Sequence, residues 1–324
     1  MNKLFSIEEL GINYVAPQDI KADGFVPAFQ PTPFKPIGIG LPLLVRLHTV
    51  YVGNLSNTIF NTKQSILVNS MVKDDVTYEA ASRAVNQIFK PVKDRTLLYM
   101  RASNQGSEIL YYTKAYDNSR LLVEVEVKAD KFNQDLFNNI SNGLNNASGL
   151  PIFIPYASYM LVGGQLFKIA GEFFNKIMEK VPVLNYPFAI TNDIGGLINT
   201  EPGFLIGGNP DELVHFKGYD ITHDVTSPGN VYLSKDGIPY QGDIPYIILS
   251  LDGNTHAAYD KFKPTMATAA IMKKYYGVSE KSNMDVLQDM VSLYNDYTYL
   301  KKTKTLATQM EGVTDESEKE KMQK

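Results

Sequence analysis

The segment from His215 to Asp224 holds the densest group of side chains that could bind a metal ion or transfer a proton. It contains two imidazoles and two carboxylates, and the best candidate ligands are His215, Asp220 and His223. Transition metals accept such nitrogen and oxygen donors. Because the spacing matches no specific metal motif, we interpret the group as residues brought together by chance in a surface loop. The alternative is an unrecognised metal-dependent hydrolase.

The common signatures of catalysis are missing. The chain has no Gly-x-Ser-x-Gly elbow, no phosphate-binding loop that ends in Lys-Ser or Lys-Thr, and no His-Glu-x-x-His helix. His48 lies in a strand-like run, where a histidine satisfied within the fold is commoner than a catalyst. The absence of cysteine excludes disulfides and thiolate chemistry. We therefore predict no catalytic residue, no bound metal and no cofactor, and hence a protein that is not an enzyme.

Composition and charge limit the classes of molecule that the protein is expected to bind. Hydrophobic residues make up 44% and charged residues 20% of the 324 positions, which is typical of a globular protein. The formal net charge of -4 provides no global basic field for phosphate contacts, so nucleic-acid binding is disfavoured. The aspartates near predicted turns lack the close spacing of a calcium loop. Protein partners, in a homo- or hetero-oligomer, remain the favoured class.

A proline-rich arm supplies the clearest candidates for protein contacts. Five prolines between positions 26 and 42 exclude a helix and favour an extended segment whose apolar side chains must be covered. We predict that the arm is ordered and packs against a sheet or a neighbouring subunit, with Phe29 and Phe34 as its main anchors and Ile37 beside them. Tyr294 and Tyr297, on a predicted amphipathic helix, are further interaction candidates.

The segment 151–180 carries the alternative of membrane action. Its apolar residues predict a long helix, and the glycines within it reduce its stiffness. Such a helix could bind lipid or form a pore, but polar residues accumulate toward its C-terminal half, so a core helix is favoured. No stretch is apolar enough to predict a transmembrane helix, and the first ten residues do not resemble a secretory signal. We expect a cytoplasmic protein or one in an assembled particle.

The elements that position these residues follow from periodicity and turn chemistry. β-branched and aromatic runs predict strands at 43–52, 65–72, 96–102, 108–114, 120–127, 188–191, 203–206, 212–219, 230–233 and 245–251. Helical spacing predicts helices at 78–89, 130–144, 156–180, 261–276 and 283–303. Hairpin-type turns indicate that the three strands between positions 96 and 127 pair as a meander.

These elements predict a β-rich α+β fold built around an antiparallel β-sandwich, with a helical insertion and a helical C-terminal region. The strand rhythm is similar to that of C2-like or jelly-roll-like sandwiches. We expect an extended arm at 1–42 and a sandwich domain at 43–256, with its helical insertion at about 130–181. C-terminal helices are expected at 257–310 and a charged tail at 311–324. The sequence favours a structural or adaptor subunit of a larger assembly, such as a phage, a contractile particle or a defence complex.

Overall fold

The computed structural model describes a β-rich protein over part of the chain. The described residues are 3–15, 33–54, 64–74, 81–100, 106–118, 120–130, 132, 134–147, 149–156, 159–162, 165–168, 182–191, 201–224, 227 and 229–274. The chain divides into two compact units, residues 1–274 and 275–324, and the second unit lies outside the described residues.

Strands dominate the described residues. They are β1 (Lys3–Ser6), β2 (Asn13–Val15), β3 (Leu43–Tyr51), β4 (Gln64–Lys73), β5 (Ser82–Val92), β6 (Leu97–Tyr99), β7 (Ile109–Thr113), β8 (Arg120–Asp130), β9 (Ile152–Tyr156), β10 (Tyr159–Val162), β11 (Gln165–Lys168), β12 (Leu184–Thr191), β13 (Gly203–Gly208), β14 (Asp220–His223), β15 (Val231–Lys235), β16 (Ile238–Pro239) and β17 (Tyr246–Asp252).

Helices form a smaller part of the described residues. They are α1 (Gln134–Asn146), α2 (Pro210–Leu213) and α3 (Phe262–Lys274), with single 3-10 turns at Val214–Phe216 and Ala257–Tyr259. Within the described ranges, none of these helices combines the length and the apolar character needed to cross a bilayer. The β-rich α+β class predicted from the sequence is confirmed.

The described strands form three sheets, almost entirely antiparallel. A seven-stranded sheet has the order β11-β10-β9-β5-β4-β8-β12, so β12 lies at one edge. A six-stranded sheet has the order β1-β13-β17-β3-β6, with β7 also paired to β3, so β1 lies at an edge. A four-stranded sheet has the order β16-β15-β14-β2, in which β2 and β14 run parallel.

Two hydrophobic cores occupy the first unit. The larger core contains residues from both the six-stranded and the seven-stranded sheet, together with residues of α1 and α3, among them Leu47, Val125 and Phe262. The smaller core joins the six-stranded sheet to the four-stranded sheet and includes Tyr246 and Leu233. Burying these apolar side chains is the main favourable term that holds the sheets together.

The helix predicted at 78–89 is wrong in its described part, which belongs to β5. Val85 and Ile88 are both buried although they lie on opposite faces of the strand. Because both faces of β5 are covered, the strand lacks the alternation of apolar and polar residues that reveals a half-exposed strand. Its apolar spacing therefore resembled that of a helix.

The helix predicted at 156–180 is also wrong where the structure describes the segment. Residues 152–156, 159–162 and 165–168 are strands β9, β10 and β11, and Val162 pairs with Gln165. Only Gly163 and Gly164 separate these two partners in the sequence, and a glycine pair favours a two-residue hairpin loop. The expected helical insertion thus contains strands as well as α1, and residues 169–181 lie outside the described ranges.

The strand predicted at 212–219 is wrong because a helix begins before it. Asn209 caps α2, since its side-chain oxygen accepts a hydrogen bond from the Asp211 N–H at 3.2 Å, and Pro210 opens the first turn. Asparagine at the cap followed by proline is a helix start signal.

The meander predicted for the three strands between positions 96 and 127 is also wrong. β6 and β7 both pair with β3, whereas β8 pairs with β4 and β12.

The described part of the proline-rich arm packs against its own unit. The Lys35 N–H donates to Asp252 Oδ1 at 3.0 Å, and the Gly253 N–H donates to the Lys35 carbonyl at 3.1 Å. Phe34 is half-buried, and its ring lies edge-on to Phe204 with centroids 5.1 Å apart. Ile37 packs against the larger core. The earlier part of the segment contributes β1 and β2, so it is not extended arm throughout.

Candidate functional site

The structure places the three predicted metal ligands apart from one another. His215 is exposed on a 3-10 turn, whereas Asp220 and His223 lie on β14. Residues three apart on a strand point to opposite faces. Asp220 accepts a hydrogen bond from Asn13 Nδ2 at 3.4 Å, and His223 Nε2 lies 2.8 Å from the Tyr14 hydroxyl. Among the described residues, no group of three His, Asp or Glu side chains is arranged to hold a metal ion.

A histidine–serine pair lies on the six-stranded sheet. His48 Nε2 is 2.7 Å from Ser250 Oγ, and Arg46 is the residue opposite Ser250 in the β3–β17 register. Burial, followed by the charges of Arg46 and His223, holds the pKa of His48 well below its usual value. A neutral imidazole beside a hydroxyl has the atoms of a base and a nucleophile. Sequence reasoning missed this pair because its members are 202 positions apart in the sequence.

The surroundings of this pair favour a structural role. The ring of Phe204 lies 5.3 Å from that of His48, and Phe204 also contacts Tyr14 and Phe34 at 5.2 and 5.1 Å. In the part of the chain that the structure describes, no carboxylate bonds to His48 to orient the imidazole, as the third member of a catalytic triad does. We interpret the pair as a satisfied polar contact, as the sequence indicated for His48.

The described residues enclose a cleft of about 690 Å³. It lies where the edge strand β12 of the seven-stranded sheet approaches β1 and β13 of the six-stranded sheet. Three segments line it: Ser6 to Glu9, Pro187 to Ile190, and Glu201 to Leu205. The volume is in the usual range for sites that bind small molecules or short peptide segments.

Reciprocal hydrogen bonds fix the first lining segment. The Ser6 N–H donates to Glu9 Oε2 at 2.7 Å, and the Glu9 N–H donates to Ser6 Oγ at 3.2 Å. This is the hydrogen-bonding pattern of a capping box. The turn is closed by the Ile12 N–H, which donates to the Ile7 carbonyl at 2.8 Å. The turn therefore holds Glu8 and Glu9 at the rim of the cleft.

The second lining segment is part of an edge strand. β12 pairs with β8 from Leu184 to Thr191, and its other side has no partner strand among the described residues. Pro187 lies within this strand, and proline is accepted in sheets where its nitrogen faces away from the ladder. Ala189, two residues later, faces the same way as Pro187 and is exposed. The cleft therefore borders the edge of β12 that has no partner strand within the described ranges.

The cleft is acidic. Glu8, Glu9 and Glu201 are exposed, and the lining residues include no lysine, arginine or histidine. Within the described ranges, the carboxylates of Glu8 and Glu201 form no ion pair or side-chain hydrogen bond. The lining also contains apolar side chains, among them Phe188 and Ile190.

The sequence contained one usable signal for this site. A proline inside an apolar, strand-like run indicates an edge strand, and Pro187 directly precedes the strand predicted at 188–191. The approach of β1 to β12 could not be read from the sequence, because the two are far apart along the chain. Of the predicted interaction residues, Phe34 and Ile37 lie on the docked arm, whereas Phe29, Tyr294 and Tyr297 lie outside the described residues.

Comparison with models of known protein families, with curated proteins and with solved structures finds no match to this chain. Its fold and cleft thus define it only as a β-rich α+β protein with an acidic cleft between two sheet edges.

Proposed function

We propose that this protein is a non-enzymatic structural or adaptor subunit of a larger protein assembly. The observation that carries the proposal is the acidic cleft between the edges of β12 and β1. Open edges pair readily with other chains, and natural proteins use them as docking sites. This role suits a protein used in the cytoplasm or within an assembled particle.

The proposal includes a sandwich architecture. The larger core contains residues of both large sheets, such as the paired Leu47 and Leu249 from one sheet and Val123 and Val125 from the other. A shared core of this kind supports face-to-face packing of two antiparallel sheets. In a sandwich, the edges of the two sheets lie side by side, which is where the cleft is found.

The native assembly can be tested by isolating the tagged full-length chain from its own host. We expect size-exclusion chromatography with light scattering to give a mass above the 36.2 kDa of one chain. We also expect the double variant Glu8→Arg/Glu201→Arg to lose its partner, because reversed charges oppose a complementary surface. The matched control Asp236→Arg, at an exposed turn outside the cleft, is expected to keep the partner.

Two results would count against the proposal. One is a strictly monomeric wild-type chain in the native lysate. The other is an assembly that both double variant and control form equally well, since the cleft would then have no part in association.

A further inference from the structure

We propose that the cleft binds an extended, lysine- or arginine-bearing segment of a partner protein, which adds a strand at Pro187–Ala189 to the edge of β12 that has no partner strand among the described residues. This inference rests on the proposed function and specifies the chemistry of the partner. Its support comes from the backbone of β12, the charge of the cleft and the dimensions of the site.

The backbone of β12 provides the recognition surface. Because Pro187 places its nitrogen away from β8, the N–H and carbonyl of Ala189 point outward, as does the carbonyl of Pro187. The register supports this assignment: the Val183 N–H donates to the Val127 carbonyl at 2.8 Å, while Leu184 is the residue paired with Val127. Val183 and Leu184 thus both lie opposite Val127, which is typical of a β-bulge at a hydrogen-bonded pair. If Leu184 is hydrogen-bonded to β8, so are the other even-numbered residues of β12, because every second residue of a strand bonds to the same neighbour. The odd-numbered residues, Ala189 among them, then direct their backbone groups away from β8.

The charge of the cleft selects the side chains of the segment. Glu8 and Glu9 belong to one lining segment and Glu201 to another, and the lining positions include no basic residue. Lysine and arginine form charge-assisted hydrogen bonds with such carboxylates. Every second side chain of an added strand points to the same face, so alternate basic residues would face the glutamates.

The dimensions suit a short extended segment. The four residues from Pro187 to Ile190 line the cleft, and four residues of a strand span roughly 13 Å. Apolar positions such as Phe188 and Ile190 lie beside the acidic groups, so a segment that alternates basic and apolar residues matches both parts of the lining.

A second copy of this chain is a poorer occupant. Symmetric pairing of two β12 edges brings the same surface patch of both copies together. The glutamates of both clefts would then meet, and like charges at an interface oppose association. The charge of the cleft therefore favours a different, basic partner.

The experiment measures fluorescence anisotropy of a labelled peptide with the sequence Lys-Val-Lys-Val-Lys-Val-Lys added to the full chain. Comparison peptides carry Gln or Glu in place of every Lys, and another carries N-methyl groups on alternate residues. We expect the Lys peptide to bind, the Gln and N-methylated peptides to bind about tenfold more weakly, and the Glu peptide to bind more weakly still.

Protein variants separate the two components of recognition. Glu8→Gln/Glu201→Gln is expected to weaken binding of the Lys peptide about threefold to tenfold, because exposed charge pairs are lost. Ala189→Pro removes one outward N–H and is expected to weaken it to a similar extent. Asp236→Asn, a neutralised carboxylate outside the cleft, is expected to bind like the wild type. Hydrogen exchange at 184–191 in the wild-type protein, which does not depend on any variant folding, is expected to slow when the Lys peptide is added.

The inference is overturned if the Lys peptide does not bind, if the Glu peptide binds equally well, or if 184–191 gains no protection. A native assembly that depends on Glu8 and Glu201 but survives Ala189→Pro would leave the proposed function standing and reject strand addition. A monomer in the host lysate that binds the Lys peptide as described would support the inference and reject the proposed assembly.

Discussion

At the scale of single residues, His48 is held neutral by its surroundings. Burial and the charge of Arg46 both oppose protonation of the imidazole, and His223 acts in the same direction. The pKa of His48 in the folded state is therefore well below the 6.5 of a free side chain. The unfolded state binds a proton more readily, so acid favours unfolding through this residue.

This difference predicts a pH dependence of stability. The contribution of His48 is fully present above about pH 6.5 and is lost as the pH falls below that value, by up to about 1.4 kcal/mol per pH unit. His48→Gln is therefore expected to lose less stability than the wild type between about pH 7 and pH 5 in urea unfolding. Because burial also lowers the pKa of His256, that histidine contributes to the slope of both proteins, and the test is the difference between His48→Gln and the wild type. Identical slopes would refute the prediction.

A second residue-scale feature is the buried ion cluster on the seven-stranded sheet. Arg83 Nη1 lies 2.6 Å from Glu126 Oε2, and Lys128 Nζ lies 3.6 Å from the same oxygen. Only 7% of the Glu126 side chain and 1% of the Lys128 side chain are exposed. Burial lowers the pKa of Lys128, whereas the charge of Glu126 raises it. Glu126 thus lies against one buried cation, Lys128, and one partly buried cation, Arg83.

Glu126→Gln is expected to reduce the free energy of unfolding by about 3 to 5 kcal/mol, because it removes the carboxylate that lies against the buried Lys128 ammonium and the partly buried Arg83 guanidinium. Arg95→Gln breaks the exposed Arg95–Asp243 pair and is expected to leave the unfolding midpoint unchanged. Chemical denaturation of both variants provides the comparison. Equal effects would show that burial of the cluster has no energetic consequence.

At the scale of elements, the arm and the turn after β17 fit each other through a glycine. A Cβ at Gly253 would lie 3.0 Å from the Lys35 carbonyl oxygen and would collide with the carbonyl oxygen of Pro36. The obstructing atoms belong to the backbone and cannot move by a rotamer change. Only glycine therefore allows this close approach.

Gly253→Ala is expected to loosen the arm and to destabilise the protein by about 1 to 3 kcal/mol, as overpacking does. Hydrogen exchange at residues 33–38 should become faster. Gly229→Ala is the matched control, since a Cβ there meets nothing within 4 Å. Unchanged exchange in Gly253→Ala would mean that the arm adapts without losing its contacts.

Sequence reasoning succeeded for elements with one clear periodicity. β8 alternates cleanly between apolar and charged side chains, and α1 has apolar residues at helical spacing, so both were predicted. It failed in β5, where burial on both faces removes the alternation of apolar and polar residues, and at Asn209-Pro210, where a helix start precedes a strand-like run. The long-range pairings of the sheets have no local signal, so the predicted meander was wrong.

The same reasons limit prediction of the site. Pro187 could indicate an edge strand, but its approach to Glu8 and Glu9 depends on the pairing of β1 with β13 and on the approach of β1 to β12, which belongs to the other large sheet. The order of strands in a sheet depends on contacts between distant residues. The sequence could therefore indicate the edge strand that borders the cleft, but not which segments meet there.

At the scale of the whole molecule, both hydrophobic cores are made by residues of the first unit, 1–274. A chain that ends at Lys274 is expected to keep its β-rich circular dichroism and to unfold cooperatively. A chain that ends at Lys261 also lacks α3, whose Phe262 and Met266 are fully buried, and is expected to lose cooperative unfolding. If the chain that ends at Lys274 failed to fold, the first unit would need residues beyond 274 for its stability.

The parallel pairing of β2 with β14 has a consequence for synthesis on the ribosome. Asn13 leaves the ribosome well before its partner Asp220, from which 207 residues separate it. At translation rates of about 5 to 20 residues per second, this delay is roughly 10 to 40 s. During that time β2 cannot form its pairing with β14, because β14 has not yet been synthesised. β1 likewise cannot pair until β13 is synthesised. The four-stranded sheet is thus closed late in translation, and the nascent chain must keep its first strands from pairing elsewhere until then.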